Sequence, residues 1–272
     1  MKPRDGITPS RRRHRPPLLA VGLALTATLF FVLPLAGLLW RAPWGSLAGD
    51  LASPEVRTAL RLSLVTSLLA TALSFLFGVP LAWVLARTQF PGRRLLRALT
   101  TLPMVLPPVV GGVALLFAFG RRGLLGQWLD SAFGIRLPFT TAGAVMAEAF
   151  VAMPFLVITT EAAFRTLDRR YEEAAHTLGA SRWTVFRRVT LPLATPALVA
   201  GGVLCWARAL GEFGATITFA GNFPGTTQTM PLAVYLALES GRNSAIVLSL
   251  VLLAVSLIVL VSLRDRWLGL GS

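Results

Sequence analysis

The sequence predicts an all-α integral membrane protein with six transmembrane helices and both termini cytoplasmic, and three observations predict it. Hydrophobic residues make up 54% of the 272 positions and charged residues only 14%, far from the balance of a soluble domain. Six separate stretches reach the roughly 20 mostly apolar residues that a helix needs to cross the hydrocarbon core. The basic residues collect in alternate connecting segments, as orientation by positive charge requires.

The chain opens with a basic tail, residues 1–17, carrying Lys2, Arg4, Arg11, Arg12, Arg13 and Arg15. The first span, 18–40, is read as an uncleaved anchor, because its apolar run exceeds a signal peptide's and no clear A-x-A site follows. The Arg-rich approach is also a poor twin-arginine match. The second span covers 59–86 and is followed by Arg87, Arg93, Arg94 and Arg97. The third, 98–119, is crowded by Pro103, Pro107, Pro108, Gly111 and Gly112, while Pro80 and Pro154 interrupt the second and fourth. Each proline removes a backbone donor and bends its helix, and irregular backbone at membrane depth survives only against protein or a wet cavity. The third span is therefore expected to face a pathway or a partner subunit, with a purely structural kink as the alternative.

The fourth span, 141–163, leads into a segment with Arg165, Arg169, Arg170, Arg182, Arg187 and Arg188. The fifth, 193–220, is the least apolar because Arg208, Glu212 and several glycines interrupt it. The sixth, 245–263, ends in a tail, 264–272, with Arg264 and Arg266. The four alternate segments hold 18 of the 26 basic residues. That places both termini on one side, the cytoplasm, and makes the number of spans even. A formal net charge of +14 is thus explained by orientation, without nucleic acid.

Other chemistries are excluded by what is missing from the chain. Cys205 is the one cysteine, so no intrachain disulfide or thiolate metal site can form. His14 and His176 are too few and too scattered for a metal site. Lys2 is the only lysine, so a phosphate-cradling G-x-x-x-x-G-K-[ST] loop cannot occur. No catalytic residue and no cofactor bound by this chain is expected, and ATP belongs to another subunit.

Residues 168–192 read locally as two short helices. Asp168 suits an N-cap, Glu172 and Glu173 lie early in the first helix where its dipole favours acids, and Gly179 suits the left-handed position that ends it. Ser181 caps a second helix, from Arg182 to about Val189, expected to stop before Pro192. That pattern also fits a DNA-reading helix-turn-helix with Trp183 and Arg187 on the second helix. Two dozen residues between membrane spans cannot bury a core of their own, which disfavours DNA reading and leaves a solvated cytoplasmic loop, favoured on these residues alone, or a surface that docks protein.

Glu173, Ala174, Ala175, Gly179, Val189, Leu191 and Pro192 match E-A-A-x3-G-x9-I-x-L-P, with Val189 in place of Ile. In this the chain resembles bacterial importer permeases of the ATP-binding cassette class. The stretch WARALGEFGATITFAGNFPGTTQTMP, beginning at Trp206, is similar to their sulfate and molybdate branch, and its second half looks most like molybdate permeases. The resemblance implies the type I importer permease fold over 18–263, in the bacterial inner membrane. It also implies a homodimer with two cytoplasmic ATPase subunits and an extracytoplasmic oxyanion-binding protein. In that family this loop docks on the ATPase, so Glu172, Glu173, Ala174, Ala175, Gly179, Arg182, Leu191 and Pro192 are the coupling candidates. Arg182, Arg187 and Arg188 either grip the ATPase or only hold the loop inside.

Arg208 and Glu212, four apart, are placed on one face of the fifth helix, where a charge is costly unless paired or wet. They are read as a structural ion pair, with contact between Arg208 and the anion as the alternative. Glu148, in the fourth span, is a further intramembrane charge that could pair with Arg208; packing or gating suits it better than ligand contact. Thr216, Thr218, Asn222, Thr226, Thr227, Gln228 and Thr229 are either hydroxyl and amide donors near the outer mouth or ordinary loop residues. The function expected is import of a dianionic tetrahedral oxyanion, molybdate before tungstate or sulfate. Its rivals are an ion-coupled secondary carrier, using Arg208, Glu212 and Glu148 as a relay, and a membrane-tethered DNA-binding regulator.

Overall fold

A computed structural model describes residues 17–240 and 242–268. The N-terminal tail therefore lies outside the described residues except for Pro17, and so do residues 269–272 of the C-terminal tail. The described residues are helical and contain no strand. They divide into two units, one ending at Ala42 and one beginning at Pro43.

The first unit is the single helix α1, Leu18–Trp40, apolar along its length and with no buried residue. That is the character of a lipid-facing span: all its backbone groups are satisfied internally and its side chains are soluble in hydrocarbon.

The second unit begins with α2, Leu47–Leu51, and α3, Pro54–Arg87. Ser53 caps α3 by accepting from the Val56 amide at 3.4 Å, and Pro54 occupies the first turn, where no donor is needed. At 34 residues this helix is about 50 Å long, longer than the expected span on both sides. Next come α4, Arg93–Val105, and α5, Pro108–Phe119. The third expected span, 98–119, is thus two helices broken at Leu106 and Pro107, because Pro107 and Pro108 in succession withdraw two donors and hold Leu106 extended (ψ 133°).

Helix α6, Gly126–Phe133, is followed by α7, Thr141–Thr166, which Thr140 caps by accepting from the Gly143 amide at 3.1 Å. Then α8, Arg170–Thr177, and α9, Arg182–Val185, form the segment singled out in the sequence. A π turn, Phe186–Thr190, joins α9 without interruption to α10, Leu191–Leu210. The expected stop before Pro192 does not occur. The Leu191 amide reaches back to the Phe186 carbonyl, and this widened turn accommodates the missing N–H and the ring volume of Pro192, which would otherwise disrupt the ladder.

The fifth expected span, 193–220, also divides, into α10 and α11, Gly214–Ala220. Two helices complete the unit, α12, Met230–Ser240, and α13, Arg242–Leu268. The sixth expected span lies inside α13, whereas α12 is a helix in a stretch read as loop and outer mouth.

Among the described residues, four helical segments are long and apolar enough to cross a membrane: Leu18–Trp40, Pro54–Arg87, Thr141–Thr166 and Arg182–Leu210. Of these, α7 is the centre of the second unit, packed against both α3 and α10. Apolar burial drives little association in lipid, so close contact between small residues must supply it. Ala70, Ala82, Ala149, Ala152, Ala194 and Ala209 meet in that core and let Leu85, Leu156 and Phe164 interdigitate. A second cluster joins the start of α3 to α12 and α13 through Val56, Ala59, Met230, Ala233, Ala245 and Leu248, and a third joins α5, α7 and α11 through Leu115, Ala147 and Phe219.

Asp130 on α6 binds Arg136 at 2.8 Å and Arg121 at 3.0 Å. The Arg136 guanidinium holds its carboxyl below the usual range, against the opposing effect of burial, and Arg121 adds to the lowering. A lowered value means that the contribution to local stability is present above the ordinary carboxylate pKa of about 3.9 and is lost as pH falls through the lowered value. Amide exchange across 126–137 should therefore keep its protection from pH 7 to pH 5, lose it only below about pH 4, and show no such acid step in Asp130→Asn.

Candidate functional site

Two places carry the residues singled out by the sequence. The first is the segment between α7 and α10. Helix α8 begins as the Arg170 amide donates to Asp168 Oδ1 at 3.0 Å, so Asp168 acts one residue before the cap position, which Arg169 occupies. It ends as expected: Gly179 has φ +83°, a left-handed conformation in which a side chain would be strained. The Ala180 amide then reaches the Ala175 carbonyl at 3.0 Å and the Gly179 amide the His176 carbonyl at 2.9 Å, which satisfies the end of the helix and turns the chain sharply. Ser181 caps α9 by accepting from the Thr184 amide at 3.2 Å.

Glu172 anchors this segment. Its Oε1 accepts from Arg87 Nη2 of α3 at 3.1 Å and from Thr190 Oγ1 at the start of α10 at 2.8 Å. Arg87 is 8% exposed and Glu172 20%, so both bonds act where water screens them little. One carboxylate thereby ties α8 to the ends of two core helices. Glu173 and Ala174 are exposed, Ala175 is partly so, and Arg182, Arg187, Arg188 and Pro192 are exposed, while Leu191 packs against the core. Among them stand Tyr171 at 59%, Leu178 at 88% and Trp183 at 66% exposure. Trp183 stacks on Phe186 at 5.7 Å, and Phe186 meets Trp83 of α3 edge-on at 5.6 Å. Large apolar groups held rigidly in a charged surface are the pattern of a protein interface. Tyr171 and Leu178 were not singled out in the sequence; their signal is bulk apolar character inside a polar connection.

The second place is the bend between α10 and α11. Arg208 Nη2 lies 2.6 Å from Glu212 Oε2, so the ion pair expected from the sequence is present. The expected single helix face is not, since α10 ends at Leu210 and Glu212 lies beyond it. Glu212 Oε1 instead accepts from the Ala215 amide at 2.8 Å and caps the next helix, which satisfies backbone left open by the break.

Glu148 on α7 does not pair with Arg208. Its Oε1 accepts from Thr66 Oγ1 of α3 at 2.8 Å, across a site where the carboxyl is 1% exposed. Thr66 comes 82 positions earlier, so sequence spacing gives no sign of it. Thr66 belongs to a polar stripe on α3 in which Ser67 Oγ accepts from Trp206 Nε1 at 2.9 Å and Ser63 Oγ from the Met230 amide at 2.6 Å. Thr216 is fully buried and Thr218 donates to the Gly214 carbonyl at 2.8 Å. In the turn beyond, Thr227 Oγ1 accepts from the Phe223 amide at 2.9 Å, and the Thr226 carbonyl accepts from Thr141 Oγ1 at 2.8 Å. These two serve to shape their loop, whereas Asn222 Oδ1, Gln228 Nε2 and Thr229 Oγ1 are buried with no hydrogen-bond partner among the described residues.

The family model for binding-protein-dependent transport system inner membrane components matches residues 78–269. The chain belongs to this family. The match spans α7 to α11 and thus the segment between α7 and α10, the ion pair and Glu148. Among relatives, the molybdenum transport system permease protein ModB of Mycobacterium tuberculosis is 47% identical over 243 residues, covering 89% of this chain and 92% of that one. ModB of Escherichia coli K12 is 44% identical, over 80% of this chain and 95% of its own. The sulfate transport system permease protein CysT of the same organism is 39% identical over 89% of this chain and 90% of its own. Among solved structures, a bacterial ABC transporter involved in alginate import has a TM-score of 0.71 at 19% identity, with 94% of this chain and 96% of that chain aligned. The MetNI methionine ABC transporter gives 0.58 at 18%, over 78% and 95%. At these identities the likeness is one of fold, and it agrees with the importer permease architecture implied by the sequence.

Family membership makes the chain a multi-pass inner-membrane transport component. The helix-turn-helix geometry of 168–192 accordingly belongs to a membrane permease and not to a DNA reader.

Replacing Glu172 by Ala leaves Arg87 buried without its partner and should lower unfolding stability in detergent by about 3 kcal/mol. Glu173→Ala, at an exposed position, should leave the unfolding midpoint unchanged in the same measurement.

Proposed function

We propose that the chain is the membrane-spanning subunit of an ATP-driven importer for a tetrahedral dianion, molybdate first. The observation that carries this is the likeness to molybdenum permeases across nine-tenths of the chain, at 47% identity to one of them, combined with the E-A-A spacing on an exposed, rigidly anchored surface. Sulfate is the second reading, favoured by the 39% identity to CysT and by the shared charge and shape of the two anions.

The working unit in this reading is a homodimer in the inner membrane, with six helices per chain and both termini in the cytoplasm. The arginine asymmetry supports that orientation, with α4 and α5 together forming the third crossing, α10 and α11 the fifth, and α13 the sixth. Two cytoplasmic ATPase subunits supply energy, since a chain whose one lysine is Lys2 has no P-loop of its own; it binds no nucleotide or cofactor. An extracytoplasmic binding protein delivers the anion, as the family description and an alginate transporter solved with its substrate-bound periplasmic protein suggest.

Closure of the ATPase pair pushes on Glu173, Ala174, Ala175, Leu178 and Trp183. Glu172 and its bonds to Arg87 and Thr190 transmit that displacement to α3 and α10, and the transmembrane pathway opens alternately to the two sides. Arg182, Arg187 and Arg188 meet acidic residues of the ATPase. Arg208, held by Glu212, places positive charge near the pathway without fixing the anion tightly, because a tight site would slow its release. Thr216 and Thr218 offer hydroxyls on the adjoining helix.

Proteoliposomes containing the permease, its ATPase and its binding protein test this reading. ATP-dependent molybdate uptake should fall at least ten-fold in Glu173→Arg and in Gly179→Val, the latter because a β-branched residue costs about 1–2 kcal/mol in the left-handed conformation. Both variants should still insert and dimerise. Normal uptake in either variant refutes the docking role, uptake persisting without the ATPase favours an ion-coupled carrier, and preference for sulfate over molybdate selects the second reading.

A further inference from the structure

The turn from α3 to α4, at the end of the unit where α7 passes into the coupling segment, borders a cavity of about 430 Å³ lined by Phe90, Gly92, Arg93, Arg94, Arg97 and Arg165. Four guanidinium groups around one cavity repel each other unless something negative lies among them. Arg97 is matched by Glu161, its Nε donating to Oε1 at 3.0 Å, and Arg93 Nε donates to the Leu85 carbonyl at 2.9 Å. Arg94 and Arg165 have no acidic partner among the described residues. The cavity thus holds more positive charge than the chain neutralises.

Backbone adds to this field. Gly92, at φ +86°, turns the chain so that the 13-residue helix α4 begins at the cavity, and it has no side chain to cap the first amides. The Arg93 amide donates to the Phe90 carbonyl at 3.3 Å, and the positive end of the helix adds to the field of the arginines around it. Alongside, Leu95, Leu99 and Leu102 follow one another at spacings of four and three along one face of α4, and are 63%, 54% and 49% exposed. A small soluble anion would answer the charge and leave the leucines uncovered. A molecule with a phosphate and an alkyl chain answers both.

We propose that this cavity binds the phosphate of an anionic phospholipid headgroup, with an acyl chain lying along Leu95, Leu99 and Leu102. The site lies where a basic pocket at a membrane's cytoplasmic surface recognises such lipids, and its membrane side follows from the orientation proposed above. It is built on the turn that precedes the broken third crossing, so the bound lipid fixes the depth of α4 while α5 remains packed on α11.

The permease, stripped of lipid in neutral detergent and titrated with phosphatidylglycerol or phosphatidylcholine, tests the proposal by native mass spectrometry. Phosphatidylglycerol should bind saturably at one molecule per chain and at least ten-fold more tightly than phosphatidylcholine. The double variant R94Q/R165Q should lose that preference while keeping its helix content and its unfolding midpoint, because both arginines are exposed and neither has an acidic partner among the described residues. R94K/R165K, which keeps the charge, should retain most of the preference. Equal binding of the two lipids, or undiminished phosphatidylglycerol binding in R94Q/R165Q, overturns the proposal. Displacement of the bound lipid by millimolar orthophosphate overturns it in favour of a soluble anion. Molybdate transport by the wild-type complex is read separately, so failure of the importer reading and failure of the lipid site leave different signatures.

Discussion

Every backbone amide and carbonyl inside hydrocarbon must find a partner within the protein, and the architecture follows from that requirement. It makes the spans helical and limits where a helix can stop. The chain breaks its apolar stretches at Leu106–Pro107 and after Leu210, and each break leaves backbone groups that need partners outside the helix. At the second break the answer is Glu212, which caps α11 with one oxygen and holds Arg208 with the other. A costly pair of charges is thereby made part of the backbone solution.

The same economy of partners shapes the connection to the outside of the membrane. Glu172 serves two elements at once, and α8 has no core of its own to hold it. Its position is inherited from α3 and α10. Exposed Leu178 and Trp183 and the low Ala174 surface therefore sit on a support as rigid as the helices beneath, which is what a surface needs if force applied to it is to reach the interior without being absorbed.

Much of this was legible in the sequence, and the reasons differ by residue. Apolar runs mark α1, α3, α7 and α13 because hydrocarbon enforces length and composition locally. Gly179 and Ser181 announce their roles because left-handed turns and N-caps each depend on one residue type. The breaks were foreshadowed by Pro107 and Pro108 and by the glycines near Glu212, yet a proline can bend a helix or end it, and only packing decides which. Glu148 found Thr66 and not Arg208 because the choice depended on how α3 and α7 lie together. The π turn at Phe186–Thr190 was hidden for a related reason: Pro192 stops a helix in isolation, whereas here the preceding turn widens and the helix continues.

That continuity sets how motion travels. From Arg182 to Leu210 the chain runs 29 residues with no loop, about 44 Å of helix. Arg182 and Arg208 are two points on one rod. A rod has no slack: a tilt of 10° about either end moves the other by about 8 Å at that length. The widened turn near one end is the place along it where twist can be taken up without breaking the ladder. Any displacement of the Arg182 end would thus reach the half-buried Arg208 as a change of place, and no separate signal would have to be carried between them.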